Sequence, residues 1–200
     1  MKFSASAIGS VASPTNWLRQ AISRLPRICF RALLRAVAAL RNWAAAMPVR
    51  KAISALPPDQ ITADLNAVAD YLTKLPACNG KLVVGGFCWG GKQTFRYATN
   101  NKNLKAAFVF YGEGPDKAED VNRINCPVYG FYAGNDNRIN ATLPNTTKLM
   151  EKAGKTYEPV TYEGAGHGFM RAGEAPDASD ANKKAREDAW KRLKDLLKKF

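Results

Sequence analysis

Leu82-Val83-Val84-Gly85-Gly86-Phe87-Cys88-Trp89-Gly90-Gly91 decides how the rest of the chain is read. Its first six residues are a short continuous apolar run, the pattern of a strand buried on both faces. The run ends in Gly86-Phe87-Cys88-Trp89-Gly90, a G-x-C-x-G arrangement. In such an elbow a nucleophile sits on a strained strand-to-helix turn, and the flanking glycines let neighbouring backbone approach without a Cβ clash. Five residues with two glycines say little by themselves. A buried strand before them and a helical stretch over 90–99 after them supply the context the motif requires.

Outward from the elbow, the chain alternates helix and strand. Pro57-Pro58-Asp59 is a helix-start signal, with Ile61, Leu65, Val68, Tyr71, Leu72 and Leu75 at helical spacing behind it. Asn79-Gly80 makes a turn before the elbow strand. Leu104–Tyr111 and Pro127–Ala133 read as further buried strands, 141–153 as a helix, Glu158–Tyr162 as a fourth strand and Ala181–Lys199 as a closing amphipathic helix. Such alternation implies an α/β domain, a parallel sheet with helices on both faces.

Two polar residues fall where the elbow would need them. Asp136 follows the third strand in Gly134-Asn135-Asp136, and His167 follows the fourth in Gly164-Ala165-Gly166-His167-Gly168. Open parallel sheets gather their active sites at the C-terminal ends of their strands. A thiol of ordinary pKa, about 8.5, is mostly protonated at neutral pH and needs a base to become a nucleophile. His167 is the single histidine of the chain, so it is that base if a histidine serves. Asp136 would hold its tautomer and stabilise the imidazolium. The backbone N–H of Trp89 would offer one oxyanion donor, with the helix N-terminus behind it. Taken singly each residue has a plainer reading: a packed small side chain, a turn former, a surface histidine. Their order and strand context together favour a Cys88–Asp136–His167 triad.

Gly85-Gly86-Phe87-Cys88-Trp89-Gly90-Gly91, Tyr111-Gly112, Tyr132-Ala133-Gly134-Asn135-Asp136 and Gly164-Ala165-Gly166-His167-Gly168-Phe169 together resemble the signature of dienelactone hydrolases, the carboxymethylenebutenolidase family. The resemblance covers about Val49 to Phe200. It implies a three-layer α/β-hydrolase sandwich with a mostly parallel sheet, and hydrolysis of a small ester or enol-lactone through a thioester, with no metal and no organic cofactor. It also implies a small-molecule substrate bearing a carboxylate, bound by Arg171, which stands four residues after His167. The alternative for Arg171 is a solvated loop cation. A monomer is expected.

The net charge of +13 suggests nucleic acid or a membrane surface until it is located. Of thirty basic residues, nine lie in 1–58 without one acidic residue, which leaves 21 against 17 acidic in the remainder. The excess therefore belongs to the N-terminal segment, and no nucleic-acid motif accompanies it. No apolar run is long enough to span a membrane. Cys29, Cys78, Cys88 and Cys126 show no metal or disulfide spacing. Cys126, before Pro127 at the head of an apolar run, reads as a buried hydrophobe. A thiol nucleophile among unpaired cysteines suits a reducing cytoplasm.

Residues 1–48 do not fit the alternation. They are rich in Ala, Arg, Leu, Ser and Trp, with Pro14 and Pro26 interrupting the helical patches. The earlier strands of the family, and the loop that supplies a second oxyanion donor, are not visible there. Joining the third base of each codon to the first two of the next permits EIFGLSDWVR, one unspecified residue, then VADQLAAAGYIAIAPDLLSG through Arg31-Ala32. That peptide resembles the missing family segment, so 1–48 read as out of frame and 49–200 as the hydrolase domain. The alternatives are a basic targeting or membrane-binding helix, with Arg24, Arg27, Arg31 and Arg35 on one face, and an impaired product of a damaged gene. On this reading the sheet starts at the elbow strand, lacks its N-terminal strands and leaves an open edge.

Overall fold

The computed structural model describes the backbone of Ser4–Ala5 and residues 53–200. In chain order the elements are β1 (Ser4–Ala5), α1 (Pro58–Thr73), β2 (Leu82–Phe87), α2 (Trp89–Asn100), β3 (Leu104–Phe110) and α3 (Ala118–Asn122). They continue with β4 (Val128–Ala133), α4 (Asn137–Asn140), α5 (Leu143–Lys152), β5 (Tyr157–Tyr162), α6 (Phe169–Ala172) and α7 (Asp180–Leu197). The strands lie side by side in the order β1-β2-β3-β4-β5, every neighbouring pair parallel.

Successive residues of each strand feed opposite faces. Phe108 and Phe110 join Tyr129, Phe131 and the apolar stripe of α7 (Ala185, Ala189, Leu193, Leu196, Leu197) on one side. Ala107 and Val109 join Val84, Val128 and Tyr132 on the other, covered by Ala69 of α1, Phe95 and Ala98 of α2, Val121 of α3 and Met150 of α5. Two cores on one sheet explain why β2 and β4 read as unbroken apolar runs and β3 as one from Ala106 onward, after the exposed Lys105. β5 is different because it borders the sheet of the described residues, with Glu158, Pro159 and Thr161 exposed. Pro159 has no N–H to give a further strand, which suits this position. Arg192 of α7 then reaches the β4–β5 pair, its Nη1 donating to Gly130 O at 2.7 Å and its Nη2 to Glu158 O at 2.8 Å. Its guanidinium stands 4.5 Å from the centre of the Phe131 ring.

Three points bear on the sequence reading. The elbow strand β2 and the three strands after it form the expected parallel sheet, and Ser4 and Ala5 pair in parallel with Val84 and Gly85. The helix expected over 141–153 is α5, Leu143–Lys152, preceded by the separate single turn α4, Asn137–Asn140. Pro144 suits the start of α5, because it lacks an N–H and is tolerated in a helix's first turn. Finally, Val68 and Tyr71 of α1 do not face the core and are 44% and 58% exposed. α1 docks on α2 partly through polar contacts, Arg96 Nη1 donating to Thr62 Oγ1 at 2.7 Å and the Tyr97 hydroxyl to Asn66 Oδ1 at 2.9 Å. These contacts turn the stripe of Ile61, Leu65 and Ala69 inward and Val68 and Tyr71 outward. The expected helix face of Arg24, Arg27, Arg31 and Arg35, the breaks at Pro14 and Pro26, and Cys29 lie outside the described residues.

Candidate active site

Cys88 is both the end of the elbow and the N-cap of α2, with φ 54° and ψ −119°. An L-residue other than glycine rarely adopts such a backbone, and it persists only where the surroundings enforce it. Here the Cys88 N–H donates to Phe110 O at 3.0 Å and the Tyr111 N–H to Phe131 O at 2.8 Å, carrying the sheet ladder past the strand ends. The first turn of α2 presses directly on two strands. A Cβ on Gly86 would lie 2.3 Å from Gly90 O, one on Gly91 2.6 Å from Phe110 O, and one on Gly112 2.4 Å from Gly91 C and Lys92 N. Only glycine fits these three positions.

The ends of β2 and β4 and the loop after β5 bring Cys88, Asp136 and His167 together. The His167 Nε2 lies 3.1 Å from Cys88 Sγ, and Nδ1 is hydrogen-bonded to Asp136 Oδ2. The other carboxylate oxygen, Oδ1, accepts from the Ile139 N–H at 3.4 Å in the first turn of α4. Asp136 is 7% exposed, so its carboxylate is shielded and fixed by both contacts. His167 has 35% of its side chain exposed and stands between that carboxylate and the thiol. Trp89 opens α2, where backbone N–H groups have no partner inside the helix and the dipole is positive. A second oxyanion donor, from a loop after an earlier strand, would fall outside the described residues.

The floor of the site is aromatic. Tyr111, with φ 39°, is buried, and its ring centre lies 5.0 Å from that of His167 and 5.3 Å from that of Phe169. Burial foremost, then the charge of Cys88, pushes the Tyr111 hydroxyl far above its ordinary range, against the opposing effects of Arg171 and a hydrogen bond to the Met170 backbone. The group therefore stays a neutral donor beside the thiol. Arg171, in α6, is exposed and close enough to act on that hydroxyl. On the far rim, Glu113 accepts from Lys92 Nζ at 2.8 Å and from Arg138 Nη1 at 2.7 Å. The Lys92 hydrogen bond first, and then both cations, hold its carboxyl below the usual range despite partial burial. Two cations thus face one carboxylate there.

Sequence reasoning passed over the role of Tyr111, although it immediately follows a buried strand at the sheet's C-terminal edge. Nothing marked Glu113 as a partner of Lys92 and Arg138. Among the remaining thiols, Cys126 is buried, and burial pushes its pKa up to about 11, in keeping with a packing role. Among the described residues, no group of three or more His, Cys, Asp or Glu side chains is placed to hold a metal ion, and no helix is long and apolar enough to cross a membrane.

A sequence model of the dienelactone hydrolase family matches residues 30–200. The chain belongs to the dienelactone hydrolase family. A candidate carboxymethylenebutenolidase of Escherichia coli strain K12 is 31% identical over 158 residues, covering 74% of this chain and 57% of the relative. A carboxymethylenebutenolidase homolog of Mus musculus is 31% identical over 144 residues, covering 70% and 57%. The crystal structure of a candidate dienelactone hydrolase from Klebsiella pneumoniae superposes with a TM-score of 0.61 at 30% identity, over 70% of this chain and 61% of that one. This dienelactone hydrolase family member thus spans little more than half the length of the curated relatives it matches. Its family match begins inside the basic segment, at residue 30.

Proposed function

We propose that this domain hydrolyses small esters or lactones through a thioester on Cys88. The observation that carries the reading is the continuous contact from Cys88 Sγ through His167 to the buried carboxylate of Asp136. His167 Nε2 takes the thiol proton as Sγ attacks the carbonyl carbon. The carbonyl oxygen becomes an oxyanion, supported by the Trp89 N–H at the start of α2. The tetrahedral species collapses, the C–O bond breaks, and the leaving oxygen takes the proton from the imidazolium. In a lactone that oxygen stays tethered to the acyl group. Water then attacks the thioester, giving its proton to His167, and the thiol recovers that proton as the acid leaves. Asp136 keeps Nδ1 protonated throughout and so presents Nε2 as the base. Residues 49–200 are proposed as the hydrolase domain and 1–48 as out of frame, an assignment that the nucleotide sequence from independent clones tests directly.

Acid quenching during turnover of an activated acetate ester is expected to leave one acetyl group on the peptide containing Cys88. Turnover with that peptide unlabelled, in the pre-steady state as well, would remove the thioester from the scheme. Arg171 is proposed to hold a substrate carboxylate, since it is exposed and borders the site beside Tyr111. Arg171→Met is expected to raise KM about ten-fold or more for a carboxylate-bearing lactone, the worth of one charge-assisted hydrogen bond, and to leave a neutral ester unaffected. Equal effects on both substrates would make Arg171 a solvated cation.

A further inference from the structure

The segment that delivers His167 has little of its own to hold it. Gly164, Gly166 and Gly168 leave it conformationally free, and Gly164 and Gly168 have φ of +69° and +79°. Three consecutive residues of it are nevertheless tied down from outside. The Asn135 side chain donates from Nδ2 to Gly164 O at 3.0 Å, and the Asn135 backbone N–H donates to Ala165 O at 2.9 Å. Asn182 Oδ1, on α7, accepts from the Gly166 N–H at 2.9 Å. One asparagine stands next to Asp136; the other holds the residue next to His167.

We propose that Asn135 and Asn182 are positioning residues that set the His167 imidazole between Asp136 and Cys88; the proposal rests on the triad reading above. The three hydrogen bonds fix two successive peptide units, Gly164–Ala165 and Ala165–Gly166, just before His167, so the ring's reach to Sγ depends on them. Asn135 carries a second consequence. Because it adjoins the acid, it moves the acid turn and the histidine loop as one body. Asn182 is not needed as a helix cap, for its backbone N–H already donates to Ser179 Oγ at 3.3 Å whatever its side chain is. Its side chain faces away from the cap to serve the loop. A general base displaced by about 1 Å costs on the order of 100-fold in rate.

The test uses the full chain and reads two quantities: the pH dependence of Cys88 alkylation by iodoacetamide, and kcat against KM for an activated ester. Asn182→Ala and Asn135→Ala are each expected to lower kcat about 10- to 100-fold with KM within about two-fold. Alkylation should slow at neutral pH, its profile moving toward that of an ordinary thiol near 8.5. Asn182→Asp keeps the acceptor for the Gly166 N–H and should retain both parent properties. Asn182→Gln displaces that acceptor by one methylene in a side chain helices accept well, and it should behave like Asn182→Ala even if the alanine variant folds poorly. A lowered melting temperature with unmoved kcat and unmoved profile overturns the proposal, as does Asn182→Asp behaving like Asn182→Ala. His167→Ala is the reference. If it too leaves the alkylation profile unmoved, the triad reading has failed; if it shifts the profile and the asparagine variants do not, only the positioning role falls.

Discussion

Cys88→Ala is expected to reduce turnover of an activated ester by about 10⁴-fold or more, with the fold unchanged. In the proposed scheme the sulfur is the bond-forming atom, and no other described thiol lies at a strand end beside a base: Cys126 is buried and Cys78 is in a loop before β2. His167→Ala should cost nearly as much, because the imidazole handles the proton at every step. The two losses should not add. Once either side chain is gone the other has nothing to act with, so the double variant should match the single ones. Circular dichroism establishes that each variant is folded, and initial rates complete the cycle. Turnover by Cys88→Ala within ten-fold of the parent would end the assignment of Cys88 as nucleophile.

The second large effect concerns stability and sets two adjacent residues against each other. Gly86→Ala should destabilise the domain by more than about 4 kcal/mol or prevent folding. Its new Cβ would stand 2.3 Å from Gly90 O and 2.6 Å from Thr94 Oγ1, in the helix that Cys88 caps. Neither the first turn of α2 nor the strand beneath it can move without shifting Cys88. Gly85→Ala, one residue earlier, places its Cβ on the other face at 3.5 Å from Phe108 Cβ, an ordinary contact. Its cost should stay within about 1 kcal/mol. Urea titration of the two variants measures the difference as a shift in midpoint at unchanged slope. Comparable midpoints would mean that α2 does not press on the strand as described.

How much of this was readable beforehand depended on whether a signal is local. β2 and β4 announce themselves because a strand buried on both faces must be apolar throughout, β3 does so from Ala106 onward, and the elbow is marked by the glycines its close approach demands. β5 was legible as a strand, but its place beside β4 at the border of the described sheet comes from pairings that leave no mark in its own residues. α5 was legible nearly to its ends, whereas the single turn α4 before it was not read as a helix. The orientation of α1 was not available, because Thr62 and Asn66 gain their partners from a helix thirty residues on. The asparagine contacts to the histidine loop join segments far apart in sequence and leave no periodicity to read. The same holds for the chain from Asp136 through His167 to Cys88, of which sequence order gave only the members.

α7 meets the rest of the domain at both ends of the sheet's depth. Near its start Asn182 holds the histidine loop, and three turns later Arg192 is bonded to the carbonyls of β4 and β5. A single last helix thus ties the reactive edge to the sheet border. Detaching it would expose its apolar stripe and release His167 in one event, without dismantling β2, β3 or β4. Native-state hydrogen exchange would then show the α7 amides opening as one cooperative unit, at a free energy below that of global unfolding. Loss of activity in denaturant would follow that partial opening rather than the final melting of the sheet.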